Sequence, residues 1–190
     1  MAKILAAMDV SGNPNVGNHE FLSIILCTQQ YLDCLKKKLK SKRVRLDVKN
    51  STTRNLIASE LAFEYKDVLA LCCRINRDDI INKILRQKTK HRKQPMRHLI
   101  LRSFNRQVYA LLQDKISTFL ISKKCDRDEV KFQCDGDCVG FAKDVGLSHI
   151  GSNDLHIVAD VLAWMNNHGR EPPGTVSMDL RNRLQNRVIM

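Results

Sequence analysis

The sequence predicts an α/β fold, a mixed five-stranded sheet with helices on both faces. Three observations carry this expectation. Short apolar runs of strand length recur along the chain. Stretches with apolar residues at helical spacing separate the later runs. The first two runs follow each other directly, so a leading antiparallel meander should give way to parallel strand–helix–strand crossovers. A length of 190 residues suits a single domain, with a core at about residues 3–167 and a helical extension at about 176–189.

Residues 3–10 read as the first strand and Glu20 to Cys27 as the second, joined by the turn-rich connector Asn13-Pro14-Asn15-Val16-Gly17-Asn18. Residues 28–40 place Leu32, Leu35 and Leu39 on one helical face. A short strand follows from Arg43 to Val48. Asn50-Ser51 should cap a helix from Thr52 to Tyr65. Val68 to Ile75 is almost continuously apolar, as an interior strand requires. Residues 78–88 read as helix and lead into a basic linker at 88–95. A long amphipathic helix runs from about Met96 to Ser122, with Leu101, Phe104, Val108 and Leu112 on its apolar face. Glu129 to Asp135 alternates as the last strand. A short turn or helix comes next. Ser152-Asn153 then cap a helix through Asn167. Pro172-Pro173-Gly174 breaks the chain before a final helix carrying Val176, Leu180, Leu184 and Val188.

The net charge is +12, and its distribution says more than its size. Lys36 to Arg45 holds seven basic residues and no acid, and Ile80 to Gln113 holds nine and no acid, so the rest of the chain is mildly acidic. Segregated cations of this kind attract polyanions, nucleic acid first. The residues expected to meet the backbone are Lys36, Lys37, Lys38, Lys40 and Arg43, followed by Arg86, Lys88, Lys90, Arg92, Lys93 and Arg97. No stretch approaches the roughly 20 apolar residues of a membrane helix. The apolar start is too short for a signal peptide, because Asp9 interrupts it. The seven cysteines include no C-x-x-C, so they read as reduced thiols of a cytoplasmic protein, several of them in the core. Cys134 and Cys138 lack a second pair with zinc-ligand spacing.

The carboxylates are the sharper signal. Asp9 ends the apolar run Ile4-Leu5-Ala6-Ala7-Met8 and precedes Val10-Ser11-Gly12. An unpaired buried carboxylate costs several kcal/mol, so something must compensate it, and a divalent cation is one candidate. Asp160 sits in an almost wholly apolar helix, where Asn153, His156, Asp160 and Trp164 share one face. Asp135-Gly136-Asp137 places two acids at a strand end, although Asp-Gly is also ordinary turn chemistry. Glu60 lies mid-helix in the same reading, beside Leu56, Ile57 and Phe63. An oxygen-only cluster of this kind suits Mg²⁺ or Mn²⁺.

These residues resemble the ribonuclease-H-like superfamily over roughly residues 3–167, in which three leading strands precede alternating helices and strands. The chain is also similar to prokaryotic and archaeal families that open with Asp-x-Ser-Gly, here Asp9-Val10-Ser11-Gly12, and carry a late Ala-Asp-hydrophobic pair, here Ala159-Asp160-Val161. The resemblance implies Asp9 as the central metal ligand, Glu60 as the acid of the first core helix and Asp160 as that of the last. Ser11 and His156 would be supporting residues. The family also places an acid at the end of the fourth strand. That strand is read here as ending at Ile75, before Asn76-Arg77-Asp78-Asp79, and the sharper strand-end acid is Asp135, one strand later. The expected function is a Mg²⁺- or Mn²⁺-dependent nuclease or nuclease-like phosphotransferase, with metal held by Asp9, Asp135 and Asp160. The alternatives are a non-catalytic nucleic-acid-binding protein on the same fold and a scaffold for an acidic partner.

Overall fold

The computed structural model describes residues 3–12, 20–46, 51–77, 80–82, 97–151 and 153–185. Ile4–Ser11 (β1) and Glu20–Thr28 (β2) pair antiparallel, with Ala7 opposite Ile25 and Asp9 opposite Ser23. β2 pairs antiparallel with Val68–Ile75 (β3). On the other side of β1, Phe132–Gln133 (β4) runs parallel to it, and His149–Ile150 (β5) runs parallel to β4. Val176–Asp179 (β6) runs parallel to β3. The described sheet is therefore mixed, as expected, but six-stranded instead of five-stranded, in the order β5-β4-β1-β2-β3-β6.

Six helices are placed around it: Gln29–Ser41 (α1), Ser51–Ala58 (α2), Arg97–Ser122 (α3), Gly136–Asp144 (α4), Asp154–Asn167 (α5) and Arg181–Gln185 (α6). Residues 80–82 are helical as well. Side chains alternate across a strand, and the core divides accordingly. Ala6, Met8, Leu22, Ile24 and Leu26 meet Phe104, Val108 and Leu112 of α3 and Phe141 of α4. Ala7, Ile25 and Cys27 meet Leu32, Leu35 and Leu39 of α1, Ile57 of α2, and Val158 and Leu162 of α5. Helices thus cover both faces, as expected. Among the described residues, no helix is long and apolar enough to cross a membrane.

Several expectations require correction. Residues 43–46 form no strand. Arg43 takes a left-handed φ of 59°, and Val44 donates its amide to Leu39 O at 3.0 Å, so the segment closes α1 instead of pairing in the sheet. Residues 47–48 lie outside the described part. The helix expected at 52–65 stops at Ala58. Leu61 and Phe63 are buried beyond it, and the Phe63 amide donates to Pro173 O at 2.7 Å, a tertiary bond that a continuing helix would forfeit. β4 is much shorter than the strand expected at 129–135, and β5 was not foreseen.

The helical extension expected at 176–189 begins instead as a strand. Val176, Met178 and Leu180 turn inward while Ser177 and Asp179 face out, and only Arg181–Gln185 is helical. A spacing of four residues fits both a helix and a strand of period two. The open edge of β3 decides between them, because its main-chain groups need partners. The connector at 13–18, the linker at 88–95, most of the helix expected at 78–88, Asp78, Ser152 and Val188 fall outside the described residues.

Candidate metal centre

Strand register builds the site. Asp9 lies two residues beyond Ala7 on β1, so it shares the face covered by α5, and Ser23 stands opposite it. Gln133 pairs with Ala7 across the parallel β1–β4 ladder. Two residues further on, Asp135 continues the same face level with Asp9. Asp135 then occupies the N-cap of α4, where its carboxylate caps no backbone amide. Gly136 takes a φ of +47°, which only glycine adopts at little cost, and turns the chain into α4.

α5 brings the third group. Asn153 caps its start, accepting from the Asp154 amide at 2.8 Å. The helix is apolar almost all round and is buried between Leu155 and Met165. His156 on its first turn is 1% exposed, and Gln133 Oε1 accepts its amide at 3.3 Å. Its Nε2 lies 3.3 Å from Asp9 Oδ1 and 3.2 Å from Asp135 Oδ1. Neither approach has hydrogen-bond geometry, and both imidazole nitrogens are buried without a hydrogen-bond partner. Buried polar atoms are seldom left in that state. Among the described residues, Asp9, Asp135 and His156 form the one group of metal-ligating side chains whose ligand atoms all lie within 4.8 Å of one another. Asp135 is half exposed and opens the group to solvent.

Burial pushes the Asp9 carboxyl above its ordinary value of 3.8; the facing imidazole opposes the rise, and the nearby charge of Asp160 adds to it. Ser23 stiffens this region. Its hydroxyl is 2.7 Å from Ala159 O and 3.3 Å from Asp9 O, tying β1 and β2 to α5 beside Asp160.

The other expected residues are placed differently. Asp160 reaches the neighbourhood of Asp9, but its carboxylate is gripped by Arg54 of α2, whose Nε and Nη2 approach to 3.1–3.3 Å. Glu60 follows α2 instead of lying mid-helix, is buried, and pairs with Lys38 at 3.0 Å and with Lys42. It is not part of the Asp9 group. Ser11 ends β1 opposite Phe21, half-buried.

Of the first basic window, Lys36 pairs with Asp154, while Lys37, Lys40 and Arg43 are exposed with no ion pair among the described residues. Arg86, Lys88, Lys90, Arg92 and Lys93, and the side chain of Arg97, fall outside the described part. All seven cysteines are free, and five of them are buried. Burial pushes the Cys27 and Cys73 thiols up to about 12, so they are inert core groups.

Glu60 yields a pH prediction. The Lys42 and Lys38 ammonium groups beside it hold its carboxyl below the ordinary value of 4.5. A depressed value contributes stability above pH 4.5 that is lost as pH falls through the folded value. Glu60→Gln lacks that contribution, so its melting temperature should fall less steeply than that of the wild type on acidification below pH 4.5. Parallel acid limbs in thermal melts would refute the assignment.

Arg54, Ser23 and Gln133 of this region escaped sequence reading. Nothing local links Arg54 to a helix 106 positions away, or Ser23 to one 136 positions away. The strand register opposite Asp9 is the signal that could have found Ser23. No protein-family model, curated protein sequence or solved structure matches the chain.

Proposed function

We propose that this protein is a divalent-metal-dependent nuclease or nuclease-like protein acting on nucleic-acid phosphodiesters, built on a ribonuclease-H-like fold. The observation that carries the reading is the convergence of Asp9 and Asp135 on the buried, hydrogen-bond-free imidazole of His156. Two carboxylate oxygens and one imidazole nitrogen fit a divalent cation, and the imidazole favours Mn²⁺ over Mg²⁺, which prefers oxygen donors.

Strand order adds support. The pairing of β1, β2 and β3 as an antiparallel meander, with β4 and β5 parallel to β1, is in line with the resemblance, whereas α1 and α2 between β2 and β3 and the added β6 depart from it. Because residues 43–46 form no strand, Phe132–Gln133 counts as the fourth strand, and Asp135 follows it directly on the Asp9 side. An acid after the fourth strand is what the resemblance calls for.

A bound cation there would supply Lewis acidity toward a phosphoryl oxygen and lower the pKa of a bound water. The chain's own residues do the positioning. Asp9 and Asp135 supply the negative charge, α5 and Gln133 fix the imidazole, and Ser23 holds α5 against the strands. Arg54 neutralises Asp160, so its charge does not add fully to theirs. Lys37, Lys40 and Arg43 offer free cations for a phosphate backbone.

A second reading, nucleic-acid binding without cleavage, draws on one observation. Asp160 and Glu60 are already neutralised by Arg54 and by Lys38 with Lys42, which leaves two acids and one imidazole for catalysis.

Calorimetric titration with Mn²⁺, followed by incubation with single- and double-stranded DNA and RNA, separates the readings. The nuclease reading expects one Mn²⁺ per chain and metal-dependent cleavage of at least one substrate. Mn²⁺ binding with salt-sensitive nucleic-acid binding and no cleavage supports the second reading. Failure to bind Mn²⁺ removes the metal centre and the nuclease with it.

A further inference from the structure

On the other face of the sheet, a cavity of about 260 Å³ opens between α3 and the end of α4. Arg102, Arg106 and Tyr109 line it from α3, and Lys143 and Asp144 line it from α4. Arg102 and Arg106 are one helical turn apart and so project side by side. Arg102 and Lys143 are exposed and have no ion pair among the described residues.

The single acid is already engaged. Asp144 Oδ2 accepts from Asn105 Nδ2 at 2.8 Å, and its carbonyl accepts from Arg106 Nε at 3.1 Å. A fourth cation stands at the wall. The Arg127 guanidinium lies 5.0 Å from the centroid of the Tyr109 ring, and its Nη2 reaches Val145 O at 3.5 Å. The cavity is therefore polar and strongly cationic, with little to neutralise it from within.

Tyr109 adds an independent observation. It is 5% exposed, and its hydroxyl is buried beside Arg127, a donor, with no acceptor for its own proton. Buried phenols normally find one. Burial also raises the phenol above its ordinary value of 10.0, so the group keeps its proton and remains a donor. Clustered guanidinium groups, an ammonium and a spare hydroxyl donor match a tetrahedral oxyanion, whose several acceptor oxygens can serve them all.

We propose that this cavity binds a phosphate dianion, free or as the terminal phosphate of a nucleic-acid strand, with Arg102, Arg106 and Lys143 supplying charge and Tyr109 a hydroxyl donor. The site shares no residue with the Asp9 cluster and does not depend on the metal reading.

The test is titration of the full chain with inorganic phosphate at constant ionic strength, followed by calorimetry. Saturable binding is expected with Kd of about 1 mM or tighter. The double variant Arg102→Gln/Lys143→Gln should weaken it at least about tenfold, since each phosphate bond to a charged donor is strong. Tyr109→Phe removes only the hydroxyl and should weaken it about three- to tenfold. Lys66→Gln, an exposed change outside the cavity, should leave it unchanged. Circular dichroism melts in phosphate-free buffer check that the variants fold. Absence of saturation, or unchanged affinity in either cavity variant, overturns the proposal. Competition then assigns the source. Displacement by a 5′-phosphorylated oligonucleotide but not by its 5′-hydroxyl counterpart points to a strand end, and displacement by neither points to the free anion.

Discussion

Asp9→Asn should abolish Mn²⁺ binding and cleavage while making the metal-free protein more stable. The two effects have one cause. Asp9 is buried, its carboxyl is pushed above 3.8, and the charge of Asp160 acts on it as well. A raised folded value means that the stability contribution is present below 3.8 and is lost as pH rises through the folded value. At neutral pH the ionised group is thus a liability that asparagine does not carry.

The same charge is what a cation needs. Losing an outer partner of a metal ligand costs about 10–100-fold in affinity, and losing a ligand itself should cost at least about 100-fold. At a Mn²⁺ concentration 100 times its Kd, the wild type should gain about 2.7 kcal/mol in stability, and the variant nothing measurable. Thermal melts with and without Mn²⁺ check both signs. A variant that is destabilised without metal, or that still gains stability with it, would contradict the assignment of Asp9.

Gly174→Ala should be among the most damaging single-methyl changes in the chain. Pro172, Pro173 and Gly174 make a tight turn, closed by the Thr175 amide donating to Pro172 O at 3.2 Å. Gly174 takes a φ of +79°, the left-handed value a type II turn demands at that position. Alanine pays about 1–2 kcal/mol there for backbone conformation alone. The added Cβ would also lie 2.3 Å from Phe63 C and 2.4 Å from Glu64 N, backbone atoms that cannot swing aside. The Phe63 to Pro173 hydrogen bond would have to open to make room. A total loss of about 3–5 kcal/mol is expected, at the high end for single substitutions. Urea unfolding measures it directly. A loss below about 1 kcal/mol would mean that the turn relaxes freely.

Much of the frame was legible because it is written in local periodicity. The apolar runs of β1, β2 and β3 are long, and α3 and α5 repeat strongly. His156 and Asp160 lie on one face of an apolar helix, which singled that face out, and Asp9 was conspicuous as an acid at the end of a buried run. The failures are those of partners distant in sequence. The short strands β4, β5 and β6 exist because neighbours pair with them, and two to four residues carry little pattern of their own. Glu60 lies outside the Asp9 group and is held by Lys38 and Lys42, partners that an apolar neighbourhood in the sequence cannot reveal. His156, read only as support, lies within the Asp9 group, whereas Arg54 reaches Asp160 from another helix.

β6 has a consequence for colloidal behaviour. β3, Val-Leu-Ala-Leu-Cys-Cys-Arg-Ile, is eight residues of apolar strand without proline and with a single charge. Left as an outer edge, it would be a template for pairing with other chains. β6 covers four of its positions, from Leu71 to Arg74, and turns Ser177 and the Asp179–Arg181 ion pair outward in their place. The outer edge is thereby shorter at these positions and carries a polar, charged outward face, and the turn at Gly174 delivers it.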